Sequence, residues 1–360
     1  MKTSPKENLS ETLSINKILP RVAVTIGDAA GIGAEITLKA ISDAEIRNAC
    51  LPVIIGDAKF LLDYAAEYGL FDDFAVVGKG VEIPANSDKP VIYDLANLNE
   101  KITPGVESAA TGRASAEYIE TAVRLWKENQ IDAIATAPIS KKALALGGYD
   151  FPGHTEFLAY LTNTKDFAMS FFAERLRVVL LSTHVSLIDA INLVKKENLE
   201  RLILFTNREL ERLLQREVKI AVAGLNPHAS ESGMFGAEEA SEIVPAIEEC
   251  REKHGINVSG AYSPDTIFLR GFKGEFDAVI ACYHDQATIA VKCLSFGASV
   301  NVTLGLPLIR TSVDHGTAID IAGKNVAEAS SMKAAINLAA DLSKQQTKKT
   351  SSESMSPRFT

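Results

Sequence analysis

Short, almost wholly apolar runs recur along the chain between longer stretches in which apolar residues return every three or four positions. The first pattern marks strands buried on both faces, and the second marks helices that lay one face against a sheet. The runs are Val22–Ile26, Pro52–Ile55, Pro90–Tyr93, Ile131–Thr136, Val178–Ser182, Lys219–Ala223, Phe276–Ala281 and Ser299–Thr303, and they read as parallel strands. Helical patterns fill Ser108–Glu128, Leu187–Gln215 with a break inside it, Ala237–His254 and Glu328–Ser343. Strand and helix in alternation predict a doubly wound α/β architecture. Met1–Lys17 and Lys344–Thr360, rich in Ser, Lys, Thr and Glu, bury too little apolar area to offset the entropy of ordering and are expected to be flexible tails.

Composition narrows the function. A chain of 360 residues that is 46% hydrophobic can build one large α/β unit or two domains sharing a cleft. A net charge of -9 argues against a nucleic-acid partner, so an anionic substrate must meet local positive charge. The four cysteines form no CxxC pair and read as free thiols in a reducing compartment. No stretch is long and apolar enough for a signal peptide or a bilayer span, so no membrane partner is expected and the cytoplasm is the expected location.

Histidine placement carries most of the chemical information. His154, His184, His228, His284 and His315 each follow a predicted strand or sit in a Gly/Pro-marked loop, while His254 ends a charged helix. Ligands of open α/β sheets bind at the carboxyl ends of strands. His184, His228 and His284 follow three different strands, and three neutral imidazoles suit a divalent metal such as zinc with an open position. Hydrogen bonding of each histidine within its own loop is the alternative at this point.

Other groups could complete a site. Lys292 lies two helical turns beyond His284, on nearly the same face. Asn301 and Arg310 flank the next strand and could clamp a phosphate or carboxylate. Gly27–Glu35, GDAAGIGAE, is a tight turn that matches neither a Walker A loop nor GxGxxG, so it reads as a structural turn or a weak anion cradle. Asp314–Lys324, DHGTAIDIAGK, is dense enough in polar and glycine residues to suggest ligand contact.

Six ordered blocks resemble the 4-hydroxythreonine-4-phosphate dehydrogenase family of vitamin B6 biosynthesis. They are GDAAGIGAE, TAPISKKAL from Thr136, PGHTEFLA from Pro152, LNPHA from Leu225, YHDQ from Tyr283 and GLPLIRTSVDHGTAIDIAGK from Gly305, spread over Arg21–Ser343. The resemblance implies an NAD-dependent enzyme, NADP being possible, that oxidises 4-(phosphooxy)-L-threonine to 2-amino-3-oxo-4-(phosphooxy)butanoate. That product decarboxylates to 3-amino-2-oxopropyl phosphate. A sibling acting on 4-phospho-D-threonate or D-erythronate 4-phosphate is the alternative, and a zinc hydrolase a more distant one.

By the same resemblance His184, His228 and His284 are the metal ligands, for zinc with magnesium or cobalt possible. His154, Thr155, Lys292, Asn301 and Arg310 are the substrate-binding residues. The family is similar in fold to isocitrate and isopropylmalate dehydrogenases, which implies two α/β/α domains with a cleft between them. Here these would be 18–146 with 324–343, and 147–323. It also implies a homodimer whose metal site draws histidines from both subunits. His315, Gly316 and Asp320 are similar to an adenosine-binding loop, with Asp320 accepting from the ribose hydroxyl. The general base stays open among Lys292, Asp285, Asp265 and a water. Ala29 and Ala34 depart from the family's prolines, and ASESGMFG replaces AGEGGHFG after His228.

Overall fold

Apolar runs with no polar face have to be covered on both sides, and the chain meets that demand with one extended sheet. The computed structural model describes residues 19–295 and 297–354, so the predicted N-terminal tail lies outside the described residues. Twelve strands form in chain order: β1 (Arg21–Thr25), β2 (Leu51–Gly56), β3 (Ala75–Gly78), β4 (Val91–Asp94), β5 (Ala133–Thr136), β6 (Ala168–Ala173), β7 (Leu176–Leu180), β8 (Ile220–Ala223), β9 (Val258–Tyr262), β10 (Ala278–Ala281), β11 (Val300–Leu304) and β12 (Ile309–Ser312). They hydrogen-bond in the order β3-β4-β2-β1-β5-β12-β11-β6-β7-β10-β8-β9.

The expectation of a wholly parallel sheet needs correction at its centre. The outer groups are parallel, but β11 runs antiparallel to both β12 and β6, and β6 runs antiparallel to β7. For β6–β7 and β11–β12 the cause is connection length, since parallel neighbours need a long crossover and short turns force antiparallel pairing; β6 and β11 then meet where the two hairpins join. The β6–β7 turn passes through Glu174 at φ 52°, and the β11–β12 connection starts at Gly305, φ 95°. An added Cβ at Gly305 would lie 2.3 Å from the Asp166 carbonyl oxygen, so only glycine fits there.

Helices cover both faces. The predicted Leu187–Gln215 segment breaks at Val194 and Lys195 into helices Leu187–Leu193 and Lys196–Leu214. Ala237–His254 opens on a π-helical turn, Glu239–Ile243, before Val244–His254. The last helix, Ser330–Ser354, runs past Lys344, where a tail was expected. Lys344, Gln345 and Gln346, where the stretch begins, are good helix formers and prolong a helix already anchored by packing. That anchor is firm: Met332, Ala335, Ile336, Ala339, Ala340 and Leu342 are all buried in the core beside β1, β5 and β11 residues. No helix among the described residues is long and apolar enough to cross a membrane.

The GDAAGIGAE turn is internal. Gly27 to Glu35 are all buried. The N–H of Asp28 donates to Pro138 O, that of Gly31 to Asp28 O and that of Ile32 to Thr317 O, while Ala30 N donates to Asp28 Oδ1. These amides therefore have no capacity left for an outside anion, and the turn is a packing device. Through Thr317 it holds the DHGTAIDIAGK loop in place.

Candidate active site

A cavity of about 1320 Å³ opens at the middle of the sheet, where β11 and β12 meet β6 and the end of β7. His154, Thr155, His184, His284, Lys292, Asn301, Arg310, His315 and Gly316 all line it. Nine of the residues singled out from sequence therefore share one space. Asp265, Asp285, His228 and Asp320 are outside that lining.

Arg310 is the most deeply buried charge at the cavity. It stands on β12 with only 3% exposure. Its Nη1 donates to Thr303 Oγ1 at 3.0 Å and its Nη2 to Thr136 Oγ1 at 2.9 Å, while Nε has no partner. No carboxylate bonds it among the described residues. Burial lowers its pKa to about 10, against a smaller opposing effect of Glu156, so it remains cationic at neutral pH. An unpaired buried cation is costly to keep, and a bound anion relieves that cost.

Two further residues of the cavity carry buried, unpartnered polar atoms, His154 Nε2 and Asn301 Oδ1. The His154 ring sits at the start of helix His154–Leu161, and burial, with the Arg310 charge as a second cause, pushes its pKa well below the usual range. It is a neutral imidazole, able to donate from one nitrogen and accept at the other. Lys292, on helix His284–Leu294, is exposed at the cavity's open side.

The three strand-end histidines follow three different strands as predicted, β7, β10 and β8, which are parallel neighbours in the sheet. They do not converge within one chain. His184 and His284 approach, with ring centroids 5.7 Å apart. His228 instead faces Asp265, Nδ1 to Oδ2 4.0 Å. Among the described residues no three His, Cys, Asp or Glu side chains gather closely enough to hold a metal. The reason is local: β10 lies between β7 and β8, and His228 sits in a left-handed turn, His228 to Ser232 all having φ between 45° and 68°. Sequence spacing gives no sign of such a turn.

Second-layer groups hold these loops. Asp285 Oδ1 bonds His284 Nδ1 at 2.7 Å, which fixes the ring and leaves Nε2 available. Gln286 receives Cys282 N at 2.7 Å and donates to Gly224 O at 2.8 Å, tying the β10 end to the β8 end. Buried Glu239 accepts from the N–H groups of Leu225 and Asn226 at 2.8 and 2.7 Å and from Asn226 Nδ2 at 2.9 Å. A divalent ion fits this donor set in part: two imidazoles on one chain lie close together, and one is already oriented. The third is presented outward, with a side chain 59% exposed.

On the DHGTAIDIAGK loop, the Asp314 carboxylate takes the hydroxyls of Ser299 and Ser331, and His315 Nδ1 lies 3.0 Å from Gly316 O. Asp320, further along, is exposed. Thr136, Thr303, Glu239 and Gln286 were missed as site residues in the sequence. Thr303 shares a strand face with Asn301 two positions earlier, and Thr136 opens TAPISKKAL at a strand end, so both signals were present.

The family described as pyridoxal phosphate biosynthetic protein PdxA matches residues 48–339. The chain belongs to the PdxA family. Members of similar length surround it. A D-threonate 4-phosphate dehydrogenase of Cupriavidus necator is 42% identical over 325 residues, 90% of this chain and 97% of its own. Among solved structures, a 4-hydroxythreonine-4-phosphate dehydrogenase from Klebsiella pneumoniae is 39% identical with TM-score 0.83, covering 91% of this chain and 99% of its own. One of the same name from Burkholderia phymatum is 41% identical with TM-score 0.78, over 90% and 98%. The PdxA chain described here is a dehydrogenase.

Proposed function

We propose that this PdxA-family dehydrogenase oxidises a four-carbon hydroxy acid phosphorylated at its far end, with NAD as hydride acceptor and a divalent metal at the histidines. The observation that carries the reading is Arg310, a buried guanidinium without a carboxylate partner, facing a cavity that also presents unpartnered His154 and Asn301 atoms. D-threonate 4-phosphate is the substrate favoured by the name of the Cupriavidus relative. The names of the structural neighbours favour 4-(phosphooxy)-L-threonine as a second reading. The two differ in a hydroxyl or an ammonium at C2, and Asn301 Oδ1 can accept from either.

Arg310 and Lys292 hold the substrate's anionic ends, and binding energy from the phosphate positions the reacting carbon. His154 and Asn301 bond the hydroxyl-bearing backbone. Of the three candidate bases only Lys292 lines the cavity, since Asp285 is engaged by His284 and Asp265 faces His228. As an ammonium that holds an anion, Lys292 has no lone pair for a proton, so the hydroxyl proton is assigned to a water at the cavity, the fourth candidate. His184 and His284 would hold a divalent metal, which would supply Lewis-acid acidification of the substrate hydroxyl, and a nicotinamide placed against His315 and Gly316 would supply the hydride acceptor. His315 and Gly316 form the wall on the cofactor side, with Asp320 beyond them for the ribose. His184 and His284 are metal ligands, and the outward His228 serves the site of a second copy. The exposed apolar side chains Ile188, Met234 and Ile289, 73%, 73% and 63% accessible, support a dimer.

The test is NADH absorbance with each substrate, NAD and metal, beside a chelated control and Arg310→Met. Oxidation of D-threonate 4-phosphate that both controls abolish is the expected result. Turnover equal to wild type in Arg310→Met removes the basis of the reading.

A further inference from the structure

We propose that Thr136 and Thr303 are positioning residues that hold the Arg310 guanidinium in place without neutralising it, so that its charge is free for the substrate's anionic group. This rests on the reading above, that Arg310 meets an anion.

Buried guanidinium groups are ordinarily paired with carboxylates. Here both terminal nitrogens end on neutral hydroxyls, Thr303 Oγ1 at 3.0 Å and Thr136 Oγ1 at 2.9 Å. The hydroxyls are themselves buried, with Thr136 at 0% and Thr303 at 3% exposure, so water cannot replace them. Three strands bring the group together. Register pairs Val302 with Thr311, and one step further places Thr303 opposite Arg310. On the other side Arg310 pairs with Ile134, two residues before Thr136 on β5.

The hydroxyls are also oriented. Thr136 Oγ1 can donate to Thr311 O at 3.4 Å, which turns a lone pair toward Nη2. Thr303 Oγ1 lies 3.5 Å from Thr155 Oγ1, which gives its proton a place to go while it accepts from Nη1. The result is a fixed fork with its positive charge intact. A carboxylate at either position would fix the fork equally well but cancel the charge an incoming phosphate or carboxylate must meet. A valine would keep the shape and remove the acceptor, leaving a buried N–H unpaired.

The experiment uses the full chain and inorganic phosphate as probe, with affinity read from the phosphate dependence of the melting temperature and from calorimetry. The variants are Thr136→Val, Thr303→Val, Thr136→Ser, Thr303→Ser, Thr303→Asp and Arg310→Met, with steady-state kinetics alongside. Each valine variant is expected to weaken phosphate binding roughly tenfold and to raise KM more than it lowers kcat. The serine variants restore affinity to within about twofold, and Thr303→Asp abolishes binding. Melting temperatures without phosphate separate folding losses from binding losses. If the valine variants bind phosphate like wild type while Arg310→Met does not, the positioning role is wrong and the functional reading stands. If the serine variants lose as much affinity as the valine variants, the threonines act through packing and the inference is overturned. Undiminished phosphate binding by Arg310→Met, or none by wild type, overturns the parent reading and this inference together.

Discussion

Removing the carboxylate of Glu239 should loosen the His228 turn while leaving the sheet standing. The turn is left-handed over five non-glycine residues, a conformation that costs roughly 1–2 kcal/mol per residue, so it needs an external clamp. Glu239 provides it through three accepted hydrogen bonds, from Leu225 N, Asn226 N and Asn226 Nδ2. Each donor left without an acceptor costs about 1–3 kcal/mol, and because Leu225 and Asn226 are half-buried the lower end applies. Glu239→Leu should thus destabilise the segment by about 3 kcal/mol, from three donors at about 1 kcal/mol each. Glu239→Gln keeps one oxygen for the two backbone amides, and Asn226 Nδ2 retains Glu238 at 2.8 Å, so its cost should be about 1 kcal/mol. Hydrogen exchange over residues 222–236 is the assay. At about 1.4 kcal/mol per tenfold, protection should drop roughly a hundredfold in the leucine variant and several-fold in the glutamine variant. Equal protection in wild type and Glu239→Leu would refute the clamp, as would equal losses in the two variants.

Three further outcomes are expected. Gly27→Ala combines a positive φ of 67° with a Cβ placed 2.1 Å from Pro138 O, and should lower unfolding free energy by about 2–5 kcal/mol in urea titrations; a loss under 1 kcal/mol contradicts the close approach. His154 is neutral in the fold because its pKa is depressed below 6.5, so folding stability is intact above pH 6.5 and falls by about 1.4 kcal/mol per unit as pH drops below it. His154→Gln should flatten that decline between pH 6.5 and 5.5, and parallel curves would count against a buried neutral ring. Asp285→Asn should weaken zinc binding by about 10–100-fold in competition with a chromophoric chelator, through loss of His284 orientation; unchanged affinity shows that Asp285 does not orient the ring.

Legibility in the sequence followed the physics of each element. Runs such as Val22–Ile26 and Phe276–Ala281 were readable because burial on both faces leaves only apolar side chains. β3 and β9 escaped because they are sheet edges, half-exposed and mixed in character. β12 escaped for the opposite reason. It is fully buried yet reads Ile-Arg-Thr-Ser, its Arg310 guanidinium held by Thr136 on β5 and Thr303 on β11, partners that no local pattern displays. The cavity residues were legible from strand-end placement and from the family's blocks. The position of His228 was not, since a left-handed turn and its glutamate clamp depend on contacts across the fold.

The pairing of β12 with β5 bears on how the chain is made as well as how it stands. Arg310 and Thr136 are 174 residues apart, and the helix that seals this region does not begin until Ser330. A chain emerging from the ribosome completes β1, β2, β4 and β5 early, but leaves one edge of β5 open throughout synthesis of the following strands. The ends of that long interval close almost together, because Ile309–Ser312 and the core positions from Met332 to Leu342 arrive within a few seconds at ordinary translation speeds of about 5–20 residues per second. Until then the nascent protein carries an unpaired strand edge, a natural place for a chaperone to bind and for premature release to end in aggregation.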